Sequence, residues 1–288
     1  MRNSMITKEN LNKMNYNEQI AIIGETNRPP GGIRTIMDLV KNVYFTPDTK
    51  ILEIGTSTGF TAVELAKRTN SKITSIDINE ESIKIAKDRA KEHGVTDNIN
   101  FLVADAMNLP FQDEEFDIVF SGNIISYIPD RENALSEYMR VLKDNGVLFA
   151  TPMYYLHEPN NSLMMKVRNA LKMDIKIDYE SYWQKFFDNP NLELFLEEKF
   201  DFDYISDLKI GKYVEDIQKT NERFLNAQNM DDETTQEFLR LYRENIYLFR
   251  DNLSNMGYSE LFLRKNKFKF DKELFLASKR IDKIGRKI

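Results

Sequence analysis

Short apolar runs alternate with amphipathic stretches through the first half of the chain. Residues 51–54 form a brief β-branched and apolar run. The chain then turns through Gly55 and Gly59 and continues as Ala62, Val63, Leu65 and Ala66, the apolar face of a helix. The pattern predicts strand, glycine turn, helix. Residues 72–77 predict a second strand. Residues 80–93 predict a helix with Ile83, Ile85, Ala86 and Ala90 inward, ended by Gly94. Residues 100–106 read as a third strand. Residues 116–122 read as a fourth, whose unbroken apolar run fits burial on both faces. A helix carrying Ala134, Leu135, Tyr138, Val141 and Leu142 follows, and residues 147–151 make a fifth strand. The order β-α-β-α-β-β-α-β predicts an α/β fold with an open, doubly wound, mostly parallel sheet.

The flanks read differently. Residues 7–25 form a polar helical stretch with apolar positions at Leu11, Met14, Ile20, Ile22 and Ile23, expected to cover a sheet edge. Arg28-Pro29-Pro30-Gly31-Gly32 is a rigid bend followed by a flexible one. Ile33, Ile36, Met37, Val40 and Val43 then repeat at helical spacing until Pro47. From Tyr154 the pattern changes, with 17 acids and 10 bases over residues 154–235 and frequent aromatics. Leu163, Val167, Ala170 and Leu171 have helical spacing, as do Val214, Ile217, Phe224 and Leu225. This predicts an inserted, mainly helical lid. It enters directly after the fifth strand and so can roof the carboxyl edge of the sheet. Its aromatics fit a core or a ligand pocket. The first unit is then 1–153, the lid 154–235 and the return to the core 236–288. In that return, Phe238, Leu241, Tyr242, Leu248, Phe249, Leu253 and Met256 make a helical stripe stopped by Gly257. Residues 259–263 and 272–279 read as strands, and 283–288 as a frayed basic end.

The glycine turn carries the chemistry. A dinucleotide fingerprint would place glycines at Ser57 and Phe60, and neither is glycine. Instead Glu53 stands two residues before Gly55 and Gly59 four after it. Asp77 ends the second strand 22 residues after Gly55, a distance that suits one intervening helix. A carboxylate there can accept both hydroxyls of a ribose or cap the following helix. The glycine turn upstream favours the ribose.

Glu53-x-Gly55-x-Ser57-x-Gly59 resembles the first motif of class I S-adenosylmethionine-dependent methyltransferases, with serine at the middle glycine. The resemblance covers roughly residues 28–152 and 245–280 and is nearest to small-molecule methyltransferases of the quinone and tocopherol type. It implies a Rossmann-like seven-stranded sheet with a closing antiparallel hairpin. It also implies S-adenosyl-L-methionine as cofactor and S-adenosyl-L-homocysteine as product. Implied cofactor contacts are Gly32, Glu53, Gly55, Thr56, Ser57, Gly59, Asp77, Ile78, Asp105, Ala106 and Ser121. Asp105 and Ala106 would meet the adenine edge, and Gly32 belongs to the Pro-Pro-Gly-Gly segment, which lies beside the cofactor or is a plain connection. Methyl transfer from a sulfonium needs mainly alignment and exclusion of water, so the lack of a visible triad is no obstacle. Tyr154, Tyr155, Tyr182, Trp183 and Phe186 are candidate acceptor contacts. His157 is a candidate base or a surface histidine. The expected acceptor is a small, partly apolar molecule carrying a hydroxyl, carboxyl or amine. A silent S-adenosylmethionine-binding partner and another alkyl transferase stay open. Ser57 and Glu53 disfavour a nicotinamide-dependent oxidoreductase.

Composition narrows the partners. Hydrophobic residues make up 41% and charged residues 30% of the 288, as expected for a soluble globular chain. No apolar run approaches the ~18 residues of a membrane span, and the polar N-terminus predicts a cytoplasmic protein. Zero cysteines exclude disulfides and thiolate metal sites, and two histidines argue against a histidine-rich metal site. A net charge of −6 argues against a broad nucleic-acid surface.

Overall fold

The computed structural model describes residues 6–266. Five parallel strands build the first part of the sheet: β1 (Lys50–Ile54), β2 (Lys72–Asp77), β3 (Ile99–Val103), β4 (Phe116–Ser121) and β5 (Leu142–Ala150). β6 (Met153–Tyr155), β7 (Leu192–Asp201) and β8 (Met256–Lys265) complete it. β7 pairs with β8 along its whole length, so it occupies one edge of β8. β5 and β6 therefore share the other edge, against residues 261–264 and 256–258. β6 continues the line of β5 past Pro152, and the sheet has seven positions across, β3-β2-β1-β4-β5/β6-β8-β7. The Rossmann-like expectation is met, with an antiparallel hairpin at the far side.

Helices wind both faces. α1 (Lys8–Lys13) and α2 (Tyr16–Ile22) precede α3 (Ile33–Asn42), α4 (Phe60–Thr69) and α5 (Glu80–Glu92). α3, α4 and α5 cover one face through Ile36, Leu39, Ala62, Leu65, Ile83 and Ala86, packed on Ile51, Ile73, Phe120, Phe149 and Phe262. α6 (Arg131–Val141) covers the other through Leu135, Tyr138 and Val141, packed on Leu52, Ile54, Val119 and Leu148. Alternate residues of each strand enter opposite cores, as the period of two requires. Burying each of these large apolar side chains contributes about 1.5–3 kcal/mol.

The second half departs from the expected single helical lid. The chain leaves the sheet twice. The first excursion, after β6, carries α7 (Asn161–Leu171) and α8 (Glu180–Phe186). The second, between β7 and β8, carries α9 (Asp207–Thr220), α10 (Glu222–Asn226) and α11 (Asp232–Leu253). β7 lies between them as a full strand, and Asp201 at its end faces Gly257 at the start of β8. α9 to α11 thus rise from the tip of an antiparallel hairpin. The boundary expected at 235/236 falls inside α11. Met256 and Gly257, read as the end of that helix, belong to β8. Residues 259–263 lie in β8. The strand expected at 272–279 and the basic end at 283–288 lie outside the described residues.

The N-terminal stretch also differs. Asn15 accepts from Glu18 N and starts α2 afresh, so two short helices replace the single one expected. They do not cover a sheet edge. Leu11 and Ile23 instead join Ile210, Val214, Leu225, Phe238 and Tyr242 in a core shared with α9, α10 and α11.

Candidate cofactor and active site

The turn between β1 and α4 runs through three left-handed residues, Gly55 (φ 78°), Ser57 (φ 47°) and Gly59 (φ 82°). Glycine adopts this region without penalty, whereas serine is uncommon in it. Ser57 therefore keeps the shape that a glycine would give at the middle of the motif. A Cβ at Gly59 would stand 2.8 Å from Ala86 Cα, so its absence lets α4 and α5 pack closely. A Cβ at Gly55 would stand 2.7 Å from Ile124 Cγ1, in the loop after β4. The turn is tied down from several directions. Gly55 N and Thr56 N donate to Ile76 O. Arg89 Nε on α5 donates to Thr58 O at 2.7 Å. Asn27 donates through its backbone to Thr58 Oγ1 and through Nδ2 to Ser57 Oγ.

Asp77 stands at the carboxyl end of β2, half-buried. Its Oδ2 accepts from Ser57 N at 2.8 Å and its Oδ1 from Asn79 N at 2.9 Å. Asn79, not Asp77, caps α5 by accepting from Ser82 N, which removes the capping alternative. A carboxylate offers about four lone-pair positions, so Asp77 retains acceptors for two further hydroxyls. Asp105 follows β3, and its Oδ1 accepts from Met107 N at 2.8 Å. Beside these two acids Ile78 is 72% exposed and Val103 54% exposed. Apolar side chains left in water at two neighbouring strand ends suit the flat face of a base.

Glu53, an implied cofactor contact, lies beneath the turn rather than at its open side. It is 2% exposed, below the turn, and its carboxylate accepts the Ser75 hydroxyl, with Thr56 and Thr61 close by. Burial pushes its pKa up to about 6, against hydrogen bonds that lower it. It meets residues 56 and 61 of the turn from beneath. Ser121 is also fully buried. Its hydroxyl sits beside the Tyr138 phenol, and its carbonyl accepts from Thr151 N.

Residues 27–32 form a strap across the carboxyl ends of β4 and β5. Pro29 Cβ lies 3.8 Å, and Thr151 Oγ1 3.9 Å, from where a Cβ on Gly122 would stand. Thr151 Oγ1 is buried with no hydrogen-bond partner. Gly31 packs where a Cβ would meet the Tyr258 and Thr35 hydroxyls. The segment of Gly32 thus lies beside the turn and over the sheet edge. Asn27 and Arg89 carry no signal in the sequence, because no local spacing links them to the turn.

The loop after β4 closes the other side. Asn123 Oδ1 accepts from Met153 N and from the Ser126 hydroxyl. Arg131, 4% exposed at the start of α6, donates to Ser126 O and pairs with Asp178 Oδ2 at 2.8 Å. Its guanidinium lies 4.9 Å from the Trp183 ring centre and 5.3 Å from that of Tyr182. Four of the five candidate acceptor contacts are core. Tyr154, Trp183 and Phe186 pack with Leu261 and Leu263, and Trp183 Nε1 donates to Met153 O. Tyr155 is buried with its hydroxyl on Asn252 Oδ1. Their aromaticity fills the junction between α8 and the sheet. Tyr182 remains 39% exposed. His157 is exposed, two residues beyond β6.

The family described as "Methyltransferase domain" matches residues 45–191, which include the turn, both strand-end acids and the loop after β4. The chain belongs to this methyltransferase family. Among curated proteins, an uncharacterised protein of Haemophilus influenzae is 31% identical over 170 residues, 58% of this chain and 68% of that one. The ubiquinone/menaquinone biosynthesis C-methyltransferase UbiE of Geotalea daltonii is 35% identical over 123 residues, 41% of this chain and 52% of its own. This methyltransferase thus spans about half the length of that relative. Among solved structures, the MccD protein is 26% identical with a TM-score of 0.69, over 84% of this chain and the whole of that one. The family's cofactor is S-adenosylmethionine. The left-handed turn, the free acceptors of Asp77 and Asp105, and the exposed Ile78 and Val103 fit such a group.

Proposed function

We propose that this methyltransferase moves a methyl group from S-adenosylmethionine to a small-molecule acceptor. The observation that carries the reading is the pairing of Asp77 with Ser57 N across the left-handed turn. It fixes a carboxylate at the mouth of a βα unit and leaves its outer lone pairs open. In this reading Asp77 accepts the ribose hydroxyls. Asp105 and Ala106 meet the adenine edge, with Ile78 against the ring. Gly55, Thr56, Ser57 and Gly59 shape the turn, braced by Glu53. The strap at 27–32 and the loop after β4 flank the reacting end and exclude water. Methyl transfer from a sulfonium neutralises the donor's charge, so alignment and a dry site supply most of the protein's contribution.

The acceptor side is assigned to the space bounded by the strap, the loop at 122–127 and the first excursion, with Tyr182 as its exposed aromatic. The relative named as a C-methyltransferase makes carbon a candidate acceptor atom beside oxygen and nitrogen. His157 stands near enough in sequence to β6 to be tested as a base for a protonated acceptor. The reading is tested by incubating the protein with trideuteromethyl-labelled S-adenosylmethionine and a metabolite pool, then searching by mass spectrometry. A labelled product that disappears with Asp77→Ala supports methyl transfer. Tight cofactor binding with no labelled product from any pool would instead support a silent binding partner.

A further inference from the structure

Away from the glycine turn, α3, β7 and β8 bring three carboxylates together. Asp38, Glu198 and Glu260 each offer an oxygen within 4.8 Å of the other two. Glu198 and Glu260 are direct cross-strand partners, an arrangement in which like charges repel. Glu260 is fully buried. Its Oε1 contacts the Thr35 hydroxyl at 2.8 Å, while its Oε2 is buried with no hydrogen-bond partner. An ionised oxygen in that position lacks the compensation that buried charges require. Arg34 is one cation beside the cluster, with Nε 4.0 Å from Asp38 Oδ2. Its guanidinium is held by the Tyr258 hydroxyl and lies 3.7 Å from the Phe200 ring centre.

We propose that Asp38, Glu198 and Glu260 form a binding site for a hard divalent cation. All three donors are carboxylate oxygens, the set that Ca²⁺, Mn²⁺ and Mg²⁺ prefer over softer metals. The spread of the oxygens bears on size. Two ligands across one ion stand at most twice the metal–oxygen distance apart, roughly 4.1 Å for Mg²⁺ and about 5 Å for Ca²⁺. The 4.8 Å bound lies within the Ca²⁺ span and above the Mg²⁺ one, so the larger ion is the better match. Bound there, the ion neutralises the Glu198–Glu260 repulsion and joins α3 to the closing hairpin. Thr35 extends the effect, since its hydroxyl contacts both Glu260 and Pro30 O. The Thr35 hydroxyl thus lies between the carboxylate cluster and the strap beside the cofactor turn, with one hydrogen for two acceptors.

A proton is the competing occupant, because burial pushes the Glu260 pKa up to about 7. The test is therefore made at pH 8 on the full chain stripped with a chelator. Calorimetric titration with CaCl₂, MnCl₂ and MgCl₂ is paired with thermal melting, and neither readout needs cofactor or acceptor. The expected result is saturable one-site Ca²⁺ binding tighter than Mg²⁺ binding, and a Tm that rises with Ca²⁺ concentration. Glu260→Gln and Asp38→Asn should each weaken Ca²⁺ binding more than about tenfold, since affinity follows ligand charge. If one variant does not fold, the other decides. No saturable binding of Ca²⁺ or Mn²⁺, or binding undiminished in the folded variants, overturns the site.

Discussion

The parallel half of the sheet and the helical assembly around α11 are held together by different kinds of interaction. In the first, the strands within residues 50–150 pair side by side, and both faces are sealed by aliphatic and aromatic side chains. In the second, α1, α2, α9, α10 and α11 share a smaller core with no strand residue among its described members, and Leu253 at the end of α11 packs with Tyr155 and Met256 of the sheet. That core is pinned by polar bonds. Glu25 accepts the Tyr213 hydroxyl on α9 and, at 2.8 Å, the Tyr242 hydroxyl on α11. Two residues further on, Asn27 bonds the glycine turn. The strap thus ties the helical assembly to the cofactor turn by a few hydrogen bonds, whereas the sheet is fixed by a continuous ladder. In the proposed reading the sheet carries the donor site, and the helical assembly borders it.

The strongest test of that contrast is the Arg131–Asp178 pair, which joins the α6 side of the sheet to the first excursion. Arg131→Ala leaves Asp178 buried without its partner and should cost about 3–5 kcal/mol. Urea unfolding measures it, and a loss below about 1 kcal/mol would show that the two parts are joined by packing alone. Next in size is Glu53, inside the sheet. Its folded pKa of about 6 lies above the ordinary 4.5, so the folded state holds the proton more tightly than the unfolded chain. Its contribution to stability is greatest below pH 4.5 and falls as pH rises to about 6, by roughly 2 kcal/mol. Glu53→Gln should flatten that part of the stability–pH curve, and an unchanged slope would remove Glu53 as its source.

Smaller effects probe the tethered assembly. Tyr242→Phe removes one of the two hydroxyls on Glu25 and should cost about 1–2 kcal/mol. Hydrogen exchange should show faster opening in α9 and α11 with β1 and β4 unaffected. Faster exchange in β1 as well would mean that the two regions unfold as one unit. The smallest effect is expected at His157. Its exposure predicts a stability change within about 0.5 kcal/mol for His157→Ala. The kcat–pH profile with an identified acceptor then decides whether it moves a proton.

The contrast also explains what could be read from the sequence. Strands β1 to β5 each announce themselves by local runs, and the spacing from Gly55 to Asp77 places two site elements without knowledge of the fold. Ser57 was legible as a departure from glycine, but its left-handed backbone was not, because backbone angle is set by the bonds around it. The second half misled for a physical reason. β7 is an antiparallel strand rich in charged residues, Glu193, Glu197, Glu198 and Lys199, and carries little of the apolar signature of a buried strand. Tyr154, Tyr155, Trp183 and Phe186 read equally well as a pocket or a core, since burial depends on partners far along the chain. Asn27, Arg131 and Asp178 gave no signal, because their meaning lies in pairings that span 30 to 50 residues.

The central claim is that the left-handed turn and Asp77 form one donor site. Calorimetric titration of S-adenosylmethionine into the wild type and Asp77→Ala, with NAD as competitor, tests it most directly. Saturable binding to the wild type is expected. In the variant it should weaken by about 1.5–3 kcal/mol, the range for hydrogen bonds to a charged group, or roughly tenfold to 150-fold. NAD should not displace the ligand. Equal affinity in the two proteins, or displacement by NAD, would contradict the account.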